Sequence, residues 1–175
     1  MKKNICLLMI IILTLVLCSC MKGDTTVFFG DKDNELADAR MEALFGAIKQ
    51  QDRAAIKDTF SEKAANEAAE IDIEIENFIS FIQGDIVSWS REESSRVSDV
   101  VHYGYKTKRL LTWYTLSTNK QDYFVLLVDY PIDTIDPKNA GLYTIRILRV
   151  EDDDKLEGTI EEWIIPGIYI MDFEP

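Results

Sequence analysis

The sequence predicts an α+β domain, with helices first and an antiparallel sheet after them. Three observations carry that reading. Apolar residues recur at helical spacing between residues 34 and 82. From Asp85 onward the period drops to two, in runs rich in β-branched and aromatic residues. Turn-forming clusters punctuate this second half at residues 91–95, at Asn119-Lys120-Gln121-Asp122 and at residues 131–141.

Asn34 is placed to cap a first helix whose apolar stripe is Ala37, Met41, Leu44, Phe45 and Ile48. Gln50-Gln51-Asp52 interrupts the pattern, and Asp52 is placed to cap a short helix carrying Ala55, Ile56 and Phe60. Ser61 is expected to cap a longer helix with the stripe Ala64, Ala68, Ile71, Ile75, Phe78, Ile79 and Ile82. Glu67, Glu70, Glu74 and Glu76 fall off that stripe. Gln83-Gly84 stops the helix, since glycine suits the left-handed conformation after a helix end. Five strands are expected over residues 86–89, 96–107, 110–118, 123–130 and 142–150. Glu151-Asp152-Asp153-Asp154 ends the last of them. The tail holds Trp163, Ile164, Ile165 and Tyr169, expected to cover a sheet edge or close the core rather than to form a partner surface.

A long helix followed by four or five strands predicts a helix packed into a curved sheet. This is the cone-shaped architecture of the nuclear transport factor 2-like superfamily. More closely, the chain resembles a family of uncharacterised bacterial lipoprotein domains, the domain of unknown function numbered 5104. The likeness is carried by Phe81-Ile82-Gln83-Gly84-Asp85-Ile86-Val87-Ser88-Trp89, Trp113-Tyr114, Leu126-Leu127-Val128-Asp129-Tyr130, Gly141-Leu142-Tyr143 and Pro166-Gly167-Ile168-Tyr169. It spans about Asn34 to Tyr169. The resemblance implies the fold and a lipoprotein setting, and it implies no activity.

The N-terminus reads as a lipoprotein signal in its own right. Lys2 and Lys3 give a positive start, residues 5–17 form an apolar run broken only by Thr14, and Leu17-Cys18-Ser19-Cys20 fits a lipobox with Cys20 as the acylated residue. The run falls short of the roughly 20 residues that span a bilayer. The expected organisation is a signal peptide over 1–19, an acylated cysteine and tether over 20–33, and one α+β domain over 34–175. The tether contains an apolar knot, Val27-Phe28-Phe29, which docks on the domain or ends a loose leader. Cys6, Cys18 and Cys20 are the only cysteines, so the mature domain has no disulfide, no thiol nucleophile and no thiolate metal site. Its stability must come from its core.

Composition narrows the partners. Removing Lys2 and Lys3 leaves 17 basic residues against 31 acids, so the formal charge moves from −12 to −14. Such a surface repels nucleic acid and anionic headgroups. The lipid must then supply the membrane attachment.

No phosphate loop, zinc spacing, nucleophile elbow or dinucleotide fingerprint is present in the sequence, and neither cofactor nor metal is expected. The acidic run Glu151 to Asp154 lacks the glycine and spacing of a calcium loop and reads as a solvated turn. An acid held in an apolar cone can act as a base, because burial raises its pKa. The candidate catalytic pair is Asp129 with His102, the single histidine. Candidate cavity-lining residues are Trp113, Tyr114, Tyr123, Tyr130 and Arg146, with Tyr103 and Trp89 in the same aromatic set. Strand parity puts Asp129 on a face with Tyr123, Val125 and Leu127, and Arg146 on one with Leu142, Thr144 and Leu148. A buried charge needs a partner, which suggests an Asp129–Arg146 ion pair. The expected function is a lipid-anchored extracytoplasmic binding or accessory module for a small molecule or protein. A small cavity enzyme of isomerase or dehydratase type and a structural homodimer are the alternatives.

Overall fold

The computed structural model describes residues 26–28, 30–102 and 104–173, with Thr26–Phe28 and His102 described by backbone alone. The expected leader with Cys6 and Cys18, the expected acceptor Cys20 and the residue Tyr103 lie outside the described residues. Four helices come first: α1 (Asp31–Lys49), α2 (Arg53–Thr59), α3 (Glu62–Glu67) and α4 (Ile71–Phe81). They follow a short strand, β1 (Thr26–Phe28). The sheet is completed by β2 (Ile86–Arg91), β3 (Arg96–His102), β4 (Tyr105–Thr118), β5 (Asp122–Asp133), β6 (Gly141–Arg149) and β7 (Gly167–Met171). A short helix, α5 (Ile160–Trp163), precedes β7.

Each helix forms for a local reason, and two depart from expectation. The stripe of α1 is buried as its spacing requires, Met41 and Leu44 completely. That helix starts at Asp31, three residues before Asn34, and its first turn is tied by the Gly30 N–H, which donates to the Asp33 carboxylate at 3.3 Å. Asp52 caps α2 by accepting from the Ala55 N–H at 2.9 Å. Ser61 caps a helix as its sequence position indicates, accepting from Ala64 N–H at 3.0 Å, but that helix stops at Glu67. The single long helix expected over 61–82 is two helices, separated at Ala68-Ala69-Glu70, where Ala68 is extended (ψ 141). The break frees α4 to swing Glu74 onto the start of β7, where its carboxylate accepts the Ile168 N–H at 2.8 Å. Gly167 makes that approach possible. Its φ is +108, and a Cβ there would sit 2.4 Å from the Glu74 carboxylate.

The sheet has seven strands, with β1-β3-β4-β5-β6-β7 as the main path. All pairs are antiparallel except β6 with β7, which is parallel. The strand expected over 96–107 is a hairpin instead: β3 turns back at Gly104 (φ +84), and residues 105–107 begin β4. β4 is long enough to hold two strands end to end along one edge. β3 pairs with Tyr105 to Leu111, and β2 with Tyr114 to Thr118. Glu92 bridges the gap, its N–H donating to Trp113 O at 2.8 Å and its carboxylate accepting from the Thr115 hydroxyl at 2.6 Å. The apolar knot at Val27-Phe28 docks, because Thr26–Phe28 pairs with β3 as β1.

Helices α1 to α4 lie on one face of this sheet. The main core forms there, from Met41, Leu44, Phe45, Ile56, Ile75 and Phe78 against Tyr114, Leu116, Tyr123, Val125, Leu127, Leu142, Ile145 and Ile147. The opposite face, called here the far face, holds a smaller cluster of Leu111, Leu126 and Val128 beneath Trp113, Tyr130, Ile160, Trp163 and Ile164. The C-terminal tail therefore does both things expected of it: residues 160–164 cover the far face, and β7 covers the β6 edge.

The loop after β5 is held by one carboxylate. Asp133 accepts the N–H groups of Ile135 and Asp136, both at 3.0 Å, the Asn139 amide at 3.0 Å and the Thr107 hydroxyl at 3.3 Å. Burial works to raise its pKa, but these four bonds outweigh it and hold the carboxyl below its ordinary value. A depressed pKa contributes stability that is present above the unfolded value, about 3.9, and is lost as the pH falls through the folded one. Asp133→Ala should cost about 1–2 kcal/mol at neutral pH. The gap to the parent should narrow in acid, as read by urea unfolding on both sides of the transition. A constant gap would show that the carboxylate's charge does not hold the loop.

Candidate functional site

The interior acid is Asp129. It reaches the helix face as parity demands, because it follows Tyr123, Val125 and Leu127 at alternate positions on β5. It is 4% exposed. Its partner is Arg40 of α1, whose Nη2 stands 3.1 Å from Oδ1. The approach is off the hydrogen-bond axis: Asp129 Oδ1 and Arg40 Nε are both buried without a hydrogen-bond partner among the described residues. Burial raises the Asp129 pKa, and Arg40 offsets only part of that rise.

The expected Asp129–Arg146 pair does not form. The two residues lie on opposite faces of the sheet. A β-bulge makes Tyr143 an extra residue on β6, since Val128 is opposite Thr144 while Asp129 is opposite Leu142. The bulge sends Leu142 into the main core and turns Thr144 and Arg146 to the far face. There Arg146 donates to Trp163 O at 2.9 Å and Glu162 O at 3.4 Å, and its guanidinium lies 5.0 Å from the centre of the Tyr169 ring. Thr144 donates to Ile165 O at 2.5 Å. Both residues tie down the tail. Burial lowers the Arg146 pKa.

His102 does not join Asp129. It is opposite Tyr105 at one end of β4, whereas Asp129 is opposite Leu110 on the other side of that strand. Five residues of strand separate the two positions, about 17 Å. An acid–base pair needs direct or one-water reach.

The described aromatic candidates divide between the two faces. Tyr114 and Tyr123 are fully buried on the helix face. Tyr123 accepts the Gln83 N–H at 2.8 Å and donates to Phe81 O at 3.2 Å, so it fastens the end of α4 to the sheet. Tyr114 donates to Asp38 at 3.3 Å and packs edge-on against Trp89, ring centres 5.5 Å apart. Desolvation, with Asp38 beside it, raises the Tyr114 pKa so far that it stays a neutral donor. Trp113 and Tyr130 belong to the far face, Trp113 edge-on to Trp163 at 6.0 Å and Tyr130 edge-on to Tyr143 at 5.7 Å. Each ring fills space against a neighbour.

Sequence reasoning passed over the groups that complete this belt. Along the polar flank of α1, Asp33 meets Lys108 at 2.5 Å, Asp38 meets Arg91 at 2.7 Å and Arg40 meets Asp129. Arg40 sits between the stripe residues Ala37, Met41 and Leu44, and a lone cation so close to an apolar stripe is the signal that would have found it. Among the described residues no cluster of acids, histidines or cysteines has metal-holding geometry. In the acidic run, Asp152 is buried and pairs with Lys155 at 2.6 Å. No helix among them is long and apolar enough to cross a membrane.

Fold and site together define an α+β domain, α1 to α4 on one face of a mostly antiparallel sheet, in which the buried Asp129 is paired with Arg40. The chain belongs to the family described as Domain of unknown function (DUF5104), which matches residues 43–153. Four of the five stretches that carried the resemblance fall inside that match, and Pro166-Gly167-Ile168-Tyr169 lies beyond it. No curated protein matches the chain.

Proposed function

We propose that the chain is a lipid-anchored, extracytoplasmic binding or accessory module on a nuclear transport factor 2-like scaffold. The observation that carries the reading is Leu17-Cys18-Ser19-Cys20 behind a charged start and an apolar run. The packed interior supports a non-catalytic role. A cavity enzyme on this scaffold needs an open apolar chamber around its acid. Here Tyr114, Tyr123 and Leu110 are fully buried and Asp129 faces Arg40. The helices over one sheet face support the scaffold.

The chain's path gives the anchor a direction. β1 runs antiparallel to β3, with Thr26 opposite Ser98 and Phe28 opposite Arg96. Tracing the chain back from Phe28 to Thr26 therefore leads toward the β3–β4 turn. Thr26 lies six positions beyond Cys20, at most about 22 Å of chain. Acylated Cys20 would hold the β3–β4 end of the sheet close to the bilayer.

Changing Cys20 to Ala should release the protein from the membrane fraction or leave the precursor uncleaved, read by fractionation and by the mass of the N-terminal peptide. A Cys20→Ala protein that is processed and retained like the parent would remove the anchor from the reading.

A further inference from the structure

We propose that Arg96 and Arg109 build an oxyanion site on the far face of the sheet, for a small molecule bearing a carboxylate or phosphate group. The proposal rests on the reading of the chain as a binding module and is independent of its anchor. Register sets the two residues side by side. Arg96 is opposite Leu111 and Arg109 is opposite Ser98, so the arginines are diagonal neighbours on adjacent strands. They share the face of Leu111, opposite α1 to α4 and beside α5. Together with Ser98, Leu111, Ile160 and Glu161 they line a pocket of about 280 Å³. That is near the lower end of small-ligand sites.

Among the described residues, what distinguishes these two arginines is the lack of a counter-charge. Arg40, Arg53, Arg91 and Arg149 each have a carboxylate within ion-pair distance. Arg146 is bonded to two carbonyls and covered by Tyr169. Among the described residues, Arg96 and Arg109 have no such carboxylate, although the precursor carries 31 acids. The Nε of Arg109 is buried and has no hydrogen-bond partner among them. A buried donor left unpaired costs stability, and two adjacent guanidiniums repel each other. An oxyanion between them relieves both. Two planar forks match the oxygens of a carboxylate or a phosphate, and the Ser98 hydroxyl adds a further donor. Leu111 and Ile160 offer an apolar wall beside the charged pair. Glu161 stands at the rim beyond ion-pair distance of either arginine. It disfavours polyanions there, and the net negative charge of the chain does the same for nucleic acid.

The test is calorimetric titration of the full chain, in detergent and at low salt, with inorganic phosphate and separately with succinate. Saturable binding of either probe is expected, weakening as salt is added. Arg96→Gln and Arg109→Gln should each weaken it by about tenfold or more. Arg109→Lys, which keeps the charge and loses the fork, should weaken it too. Phosphate alone would identify a phosphorylated ligand, succinate alone a carboxylic acid, and both an unselective oxyanion site. Arg96 is exposed, so its variant tests the site without disturbing the core. Membrane fractionation of Arg96→Gln should match the parent, which separates failure of this site from failure of the anchor. No binding of either probe, or binding unchanged in Arg96→Gln, would overturn the proposal.

Discussion

Truncating Phe78 to alanine should lower the stability of the domain by about 3–5 kcal/mol, the usual cost of deleting a fully buried ring. Phe78 is 0% exposed and sits in the main core, on the stripe of α4 with Ile71 and Ile75. The loss has two parts, the transfer free energy of the ring and the cavity left behind. The cavity cannot relax easily, because α4 is fixed at both ends: Glu74 holds the start of β7, and Tyr123 holds Phe81 and Gln83. With no cysteine after Cys20, residues 34–175 form no disulfide, and a loss of that size is a large share of the roughly 5–15 kcal/mol that holds a domain folded. Phe81 makes the useful contrast. It is only partly buried, edge-on to Tyr123 at 5.5 Å and beneath the Arg149 guanidinium at 4.9 Å, so Phe81→Ala should cost less. Urea unfolding of the two variants decides the point. A melting temperature unchanged in Phe78→Ala would take α4 out of the core.

Much of this arrangement is legible in the sequence, and the parts that are not share a physical cause. The stripe of α1 and the cap at Asp52 are local features, read from spacing and side-chain chemistry alone. The break between α3 and α4 is not local. Ala68, Ala69 and Glu70 are tolerated in helices, and the interruption places Glu74 against Ile168, far along the chain. The β3–β4 hairpin is hidden for a related reason. Residues 96–118 alternate almost without pause, and Gly104 is the only mark of the reversal. Parity located Asp129 correctly because β5 is regular from Tyr123 to Val128. It failed for Arg146 because a single extra residue, Tyr143, shifts the phase of β6. The partner of Asp129 had to come from the helix layer, and nothing in strand parity points there. The far-face arginines belong to no motif, and their lack of acid partners among the described residues is visible only in three dimensions.

Removing Arg40 tests a buried charge, Asp129, at the helix–sheet interface. Arg40→Ala should destabilise the domain toward the lower end of about 3–5 kcal/mol, the range for breaking a buried pair by deleting one partner. The lower end follows because the Arg40 side chain is still 28% exposed. The loss arises mainly from what remains: Asp129, 6% exposed at its side chain, would keep its charge without a cation. The pH dependence gives the signature. Burial already sets the folded pKa of Asp129 above its ordinary value, and deleting Arg40 raises it further. A raised carboxyl pKa means the folded chain holds its proton more tightly than the unfolded one. The variant's deficit should therefore shrink as the pH falls through the folded pKa and grow as the pH rises past it. This is the opposite sense to Asp133, where acid removes stability. The double change Arg40→Met with Asp129→Leu should restore most of the loss, since two apolar groups of similar volume cost no desolvation. Guanidinium unfolding of the single and double variants at neutral and acid pH completes the test. A deficit in Arg40→Ala that does not vary with pH, or that persists in the double variant, would show that Arg40 contributes by packing of its stem and not by its charge.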